Sequence, residues 1–135
     1  MEAWARAMES CSSNAYFYYF DHIPPGSVAA FHTAEILYTF NNVKYSYRYS
    51  PVQPTNQPTK LDLKMGEIMS DYWVSFAKSG VPAVKEKPVW RAYENTERHY
   101  MKFRNGAAEP AQSLFPGVFE LMDRFNGGRR SEGSL

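Results

Sequence analysis

His32 stands in the stretch V-A-A-F-H-T-A-E-I-L-Y-T-F, with Glu35 three residues after it. An imidazole there can act as a general base, bind a metal or simply pack. A general base needs a nucleophile to deprotonate and a carboxylate to fix its tautomer. A serine lifted clear of a sheet needs the tight G-x-S-x-G turn. The nearest approximations, P-G-S-V-A and K-S-G-V-P, both fail that pattern. Cys11 lies beside Ser12 and Ser13, with nothing in its neighbourhood that marks it as a nucleophile. A metal centre fits poorly. His22, His32 and His99 share no ligand spacing, and a single His-x-x-Glu lacks the second histidine of a zinc helix. No Gly-rich phosphate loop is present. On its flanks alone, Ala30 and Phe31, His32 reads as a histidine that packs.

The elements that must position it are those of one domain, since the chain has 135 residues. Hydrophobic residues at 44% and charged residues at 21% place it among globular rather than disordered chains. Aromatics reach 16%, and so many rings need a sizeable core or a partner surface to cover them. The net charge of +1 supplies no field to gather nucleic acid or an anionic membrane, so no nucleic-acid partner is expected. The basic-aromatic run N-V-K-Y-S-Y-R-Y-S reads as a tyrosine-rich loop for the same reason. A single cysteine excludes an internal disulfide. No apolar run is long enough for a membrane-spanning helix. The first ten residues lack the apolar core of a signal peptide and read as a helix entered from further upstream.

The aromatic run A-Y-F-Y-Y-F at 15–20 predicts a strand apolar on both faces. The prolines and glycine of 21–26 predict a loop, and 33–40 a short helix after His32. Residues 41–58 read as a proline-punctuated loop. The best helix is 60–79. Thr59 can cap it, Asp62 sits near the capping-box position, and Gly80 can stop it. Leu61, Met65, Ile68, Met69, Tyr72, Trp73 and Phe76 recur at three- and four-residue steps, forming one apolar stripe. A second strand is predicted over 99–103, and a last helix over 117–125. This makes about two strands and a few helices of an α/β protein. Two strands are marginal alone, so the pattern reads as one end of a larger sheet.

The chain resembles the C-terminal part of the type-B carboxylesterases, the family of the cholinesterases and para-nitrobenzyl esterases. The words that carry the resemblance occur in the family's order. A-Y-F-Y-Y-F-D-H-I-P-P is similar to its late strand, and A-A-F-H-T-A-E-I-L-Y-T-F-N-N to its histidine segment. M-S-D-Y-W-V-S-F-A-K-S-G-V-P is similar to its Y-W-x-N-F-A-K helix end. P-V-W-R-A-Y-E and H-Y-M-K-F are similar to the segments that follow. The resemblance spans 4–125 and implies that 1–126 is the C-terminal portion of an α/β-hydrolase domain. It leaves 127–135 as a disordered polar tail.

By this resemblance His32 falls on the catalytic histidine, and Glu35 on a glutamate with a supporting role rather than the triad acid. The serine, the acid and the oxyanion donors lie upstream in the family. Departures from the family pattern are Ala29 and Asn41 where it prefers Gly, and Val81 where it prefers an acidic or polar residue. The resemblance implies a carboxylic-ester hydrolase that needs no cofactor or metal. Its substrate would be a small carboxylic ester, and its protein partner the upstream part of such an enzyme or a second copy. The chain by itself is expected to be inactive. The alternative is a non-catalytic, cholinesterase-like interaction module.

Overall fold

The computed structural model describes residues 2–46 and 57–131. Its axis is helix α4, Lys60–Ser79. Thr59 is extended, its hydroxyl accepts the Asp62 N–H, and the Asp62 carboxylate takes the Thr59 N–H, which completes a capping box. Gly80 closes the other end with φ +74°, a left-handed position that glycine adopts without steric cost. The stripe buries Met65, Ile68, Met69 and Tyr72. Its two ends do not follow: Leu61 and Phe76 are 49% and 46% exposed. The buried face instead takes in Asp62 and Gly66. A β-carbon at Gly66 would lie 2.7 Å from Asn41 Oδ1 and 3.2 Å from Val43 Cγ2, so the missing side chain admits the turn that approaches there.

In chain order the other elements are α1 (Glu2–Ser10), β1 (Tyr18–Phe20), α2 (Ile36–Thr39), α3 (Val43–Ser46), β2 (His99–Arg104), β3 (Ala107–Gln112) and α5 (Pro116–Ser131). The sheet order is β1-β2-β3. β1 runs parallel to β2, with Tyr18 opposite Met101 and Phe20 opposite Phe103. The connection between them passes through α2, α3 and α4, and α4 packs on β2 and β3. The core forms between sheet and helix from Met65, Met69, Tyr72, Trp90, Met101 and Phe103, with Tyr38 and Val43 behind them. Burial pushes the Tyr72 hydroxyl up to about 12, and that hydroxyl donates to the Pro88 carbonyl at 2.6 Å.

Four sequence expectations are corrected. The sheet has three strands among the described residues, not two. β3 has the sequence A-A-E-P-A-Q, poor in strand formers and interrupted by Pro110. It forms because Asn105 and Gly106 take φ +49° and +70° and close a tight antiparallel hairpin with β2. Pro110 is tolerated because β3 lies at the sheet edge.

The strand predicted over 15–20 shortens to Tyr18–Phe20 and is half-buried throughout, since one neighbour covers it among the described residues. Residues 15–17 run alongside without strand pairing. Ala15 and Phe17 carbonyls accept from Tyr93 N–H and Met101 N–H, and Phe17 also from the Trp90 indole at 3.1 Å.

Part of the stretch read as a loop, Val43–Ser46, is helical, while 47–56 lie outside the described residues. Finally, α5 begins with Pro116, whose missing N–H costs nothing in a first turn. It continues to Ser131, through Gly127 and Gly128 and into the residues read as a tail. Residues 132–135 lie outside the description.

Candidate functional site

The site begins at the end of β1, where the chain leaves the sheet at Asp21 and returns at α2. Asp21 N–H still bonds the Phe103 carbonyl, and its carboxylate faces Lys102 and Arg104 at 3.5 Å. Pro24 and Pro25 then drive a turn closed by Ser27 N–H on the Pro24 carbonyl. Ala34 is buried and anchors a second turn, its N–H bonded to the Phe31 carbonyl.

His32 lies in that second turn, just before α2, and is exposed. No side chain among the described residues hydrogen-bonds its imidazole. Thr33 holds φ +71° with its hydroxyl on the His32 carbonyl at 2.5 Å. A β-branched residue there is strained by roughly 1–3 kcal/mol, although Thr33 is one of eight non-glycine residues with positive φ among the described residues. Exposed apolar side chains surround the turn: Val28, Phe31, Ile36 and Phe40.

Glu35 is half-buried and occupies the N-cap position of α2 without capping it through its side chain. It makes no hydrogen bond to His32. Its charge is felt instead by Tyr18 on β1, where burial first and Glu35 second raise the phenol pKa. Of the family departures, Asn41 takes φ +49°, a conformation asparagine tolerates almost as readily as glycine, whereas Ala29 does not enter that region.

Behind the turn lies a buried polar cluster that the sequence did not reveal. Asp62 is 1% exposed and His22 4%. One carboxylate oxygen, Oδ1, lies 2.8 Å from His22 Nε2 and accepts the Tyr38 hydroxyl at 2.8 Å. The other, Oδ2, accepts the Thr59 N–H at 2.8 Å and the Thr59 hydroxyl. A carboxylate has only acceptors to offer, so Nε2 is the donor and Nδ1 is buried without a hydrogen-bond partner among the described residues. Burial would raise the Asp62 pKa, but hydrogen bonds from Thr59, His22 and Tyr38, with the Thr59 backbone, outweigh it and hold the carboxyl below its ordinary range. The only sequence signals were the D-H pair after β1 and an acid at the third position of α4.

The sign of that shift sets a pH dependence. A carboxyl whose pKa falls on folding contributes stability that is fully present above its unfolded value, near 4, and is lost as pH falls through the folded value. The melting temperature is expected to decline below about pH 4, and less steeply in Asp62→Asn. Equal acid slopes for the two proteins would show that Asp62 carries no linkage.

Among the described residues no helix is long and apolar enough to cross a membrane. No group of three or more His, Cys, Asp or Glu among them is placed to hold a metal ion.

The family described as "Carboxylesterase family" matches residues 1–118. Carboxylesterase 5A of Mus musculus is 29% identical over 102 residues, which cover 70% of this chain and 17% of that protein. Carboxylesterase 5A of Canis lupus familiaris is 28% identical over the same length. A solved structure of a PNB esterase superposes with a TM-score of 0.70 at 22% identity, covering 88% of this chain and 23% of its own. The Geobacillus stearothermophilus carboxylesterase EST55 superposes with a TM-score of 0.69 at 24% identity, covering 86% and 23%. The chain therefore spans about a sixth of the curated relatives it matches and folds like one portion of an α/β-hydrolase esterase.

Proposed function

Because the chain belongs to the carboxylesterase family, we propose that it supplies the histidine of a serine-esterase active site. Its serine, acid and oxyanion donors would come from the part of the fold that this chain does not span. His32 is the general base of this reading, and Glu35 supports its segment from the start of α2. The observation that carries the reading is the exposed imidazole of His32, held on a strained turn with no partner among the described residues. That is the disposition a base has when its nucleophile and orienting acid arrive from elsewhere.

In the assembled site His32 takes the proton of the serine hydroxyl as the oxygen attacks the ester carbonyl, then returns it to the departing alcohol. Water repeats the cycle on the acyl-enzyme. The substrate class is a small carboxylic ester. The natural partner is the preceding part of such an enzyme, meeting the edge of β1 that is unpaired among the described residues and the apolar side chains around His32.

The test uses a short-chain nitrophenyl ester. The chain alone is expected to hydrolyse it no faster than a free imidazole does, because a base without nucleophile and oxyanion donors lacks the groups that supply most of the rate. Mixed with the preceding part of a related carboxylesterase, it is expected to restore hydrolysis that depends on His32. Hydrolysis by the isolated chain that survives His32→Ala would overturn the reading. So would a stable complex of the two parts without activity, which would favour a non-catalytic interaction module.

A further inference from the structure

The His32 segment, 23–37, runs between His22 and Tyr38 and turns outward over 25–33, where no side chain is buried. Both of those side chains end on one atom, Asp62 Oδ1, each at 2.8 Å. They come from opposite ends of the segment, one just past β1 and the other inside α2. The second carboxylate oxygen is tied to Thr59 at the start of α4, the most extensively packed helix of the fold. The three polar groups meet where they cannot exchange partners with water, since Asp62, His22 and Tyr38 are all buried. The rings of His22 and Tyr38 also touch edge to face, with centroids 5.0 Å apart.

We propose that Asp62, His22 and Tyr38 form a clamp that holds both ends of the His32 segment against the start of α4 and so positions His32. Asp62 is then a positioning residue, acting through His22 and Tyr38, and touches no substrate. Pro24 and Ala34 are also buried and Leu37 packs against the core, but residues 25–33, which carry His32, have no buried side chain. The segment's internal amide bonds are short turns, Ser27 to Pro24, Ala34 to Phe31 and Ile36 to Thr33. Its side chains Val28, Phe31 and His32 point to solvent. A segment whose ends are pinned at one point loses far fewer conformations when it must meet a reacting group than one pinned at a single end.

The catalytic consequence rests on the reading of His32 as a general base, but the clamp can be tested without it. In the isolated chain, hydrogen exchange is followed at the amides of Ser27, Ala34 and Ile36 and at those of α4. Tyr38→Phe keeps the ring and removes one arm, and His22→Leu removes the other. Each is expected to speed exchange at the three segment amides by about tenfold or more, with less than twofold change along α4. His22→Gln keeps an N–H donor and is expected to exchange like the parent. Unchanged segment amides, or an equal acceleration along the whole chain, would overturn the clamp and leave a cluster that only stabilises the core.

In the protein reconstituted with the preceding part of a related carboxylesterase, Tyr38→Phe is expected to lower kcat about tenfold at unchanged KM. A kcat equal to the parent's would overturn the positioning role. No esterase activity in any reconstituted protein, with the exchange result intact, would remove the reading of His32 and leave the clamp standing.

Discussion

His32→Ala is expected to lower kcat of the reconstituted esterase by on the order of 10⁴-fold or more, with KM little changed. Without the imidazole the serine hydroxyl stays protonated at neutral pH and the leaving alcohol departs as an alkoxide. Both steps lose their proton partner, whereas the contacts that bind the ester's acyl and alcohol groups remain. The loss therefore falls on the chemical step. His32 is exposed and its neighbour Ala34, not His32 itself, is the buried anchor of the turn. The substitution is accordingly expected to leave the melting temperature of the isolated chain within a degree or two of the parent. Cys11→Ser, at an exposed cysteine beyond α1, is the control and is expected to change neither quantity. A reconstituted His32→Ala protein retaining a tenth of the parent kcat would assign the base to another residue.

Phe103→Ala is expected to cost about 3–5 kcal/mol, enough to lower the melting temperature by roughly 10–30 °C in a domain of this size. Phe103 is fully buried on β2 and stands among four other rings. Its centroid lies 5.5 Å from that of Trp90, 5.8 Å from Trp73, 6.0 Å from Tyr72 and 6.2 Å from Tyr18. Removing it takes away apolar burial and several edge-on ring contacts at once, and the rigid rings around it close the gap poorly. Calorimetry alongside tryptophan fluorescence reads both the loss and its place, because Trp90 and Trp73 line the hole. Phe40→Ala, at a ring 77% exposed, is expected to stay within about 0.5 kcal/mol of the parent. Similar losses for the two would mean that the aromatic cluster does not form the core.

Long, strongly patterned elements are legible in the order of residues alone. The stripe of α4, its Thr59 start and its Gly80 stop are local facts, and the helix occupies 60–79 as the periodicity requires. β2 is equally readable from its alternation. β3 is not, because its own residues do not favour a strand. It is held by pairing with β2, and the one local trace of it is the Asn105-Gly106 turn that joins the two strands. The exposed ends of the α4 stripe show the same limit: periodicity marks a face but not how far a neighbour extends to cover it.

The family resemblance, the main helix and the place of His32 on a turn before a short helix all follow from the order of residues. Each depends on residues close together in the chain, through spacing, capping or backbone preference. The role of Asp62 comes from long-range packing instead. Near Thr59 it is a helix cap, and the chain says no more. His22 and Tyr38 reach the same carboxylate from 40 and 24 residues away. They do so because packing of α2 and of the end of β1 against α4 brings three polar groups into a buried space. A buried carboxylate must collect donors wherever the fold presents them, and no local pattern records which donors those will be.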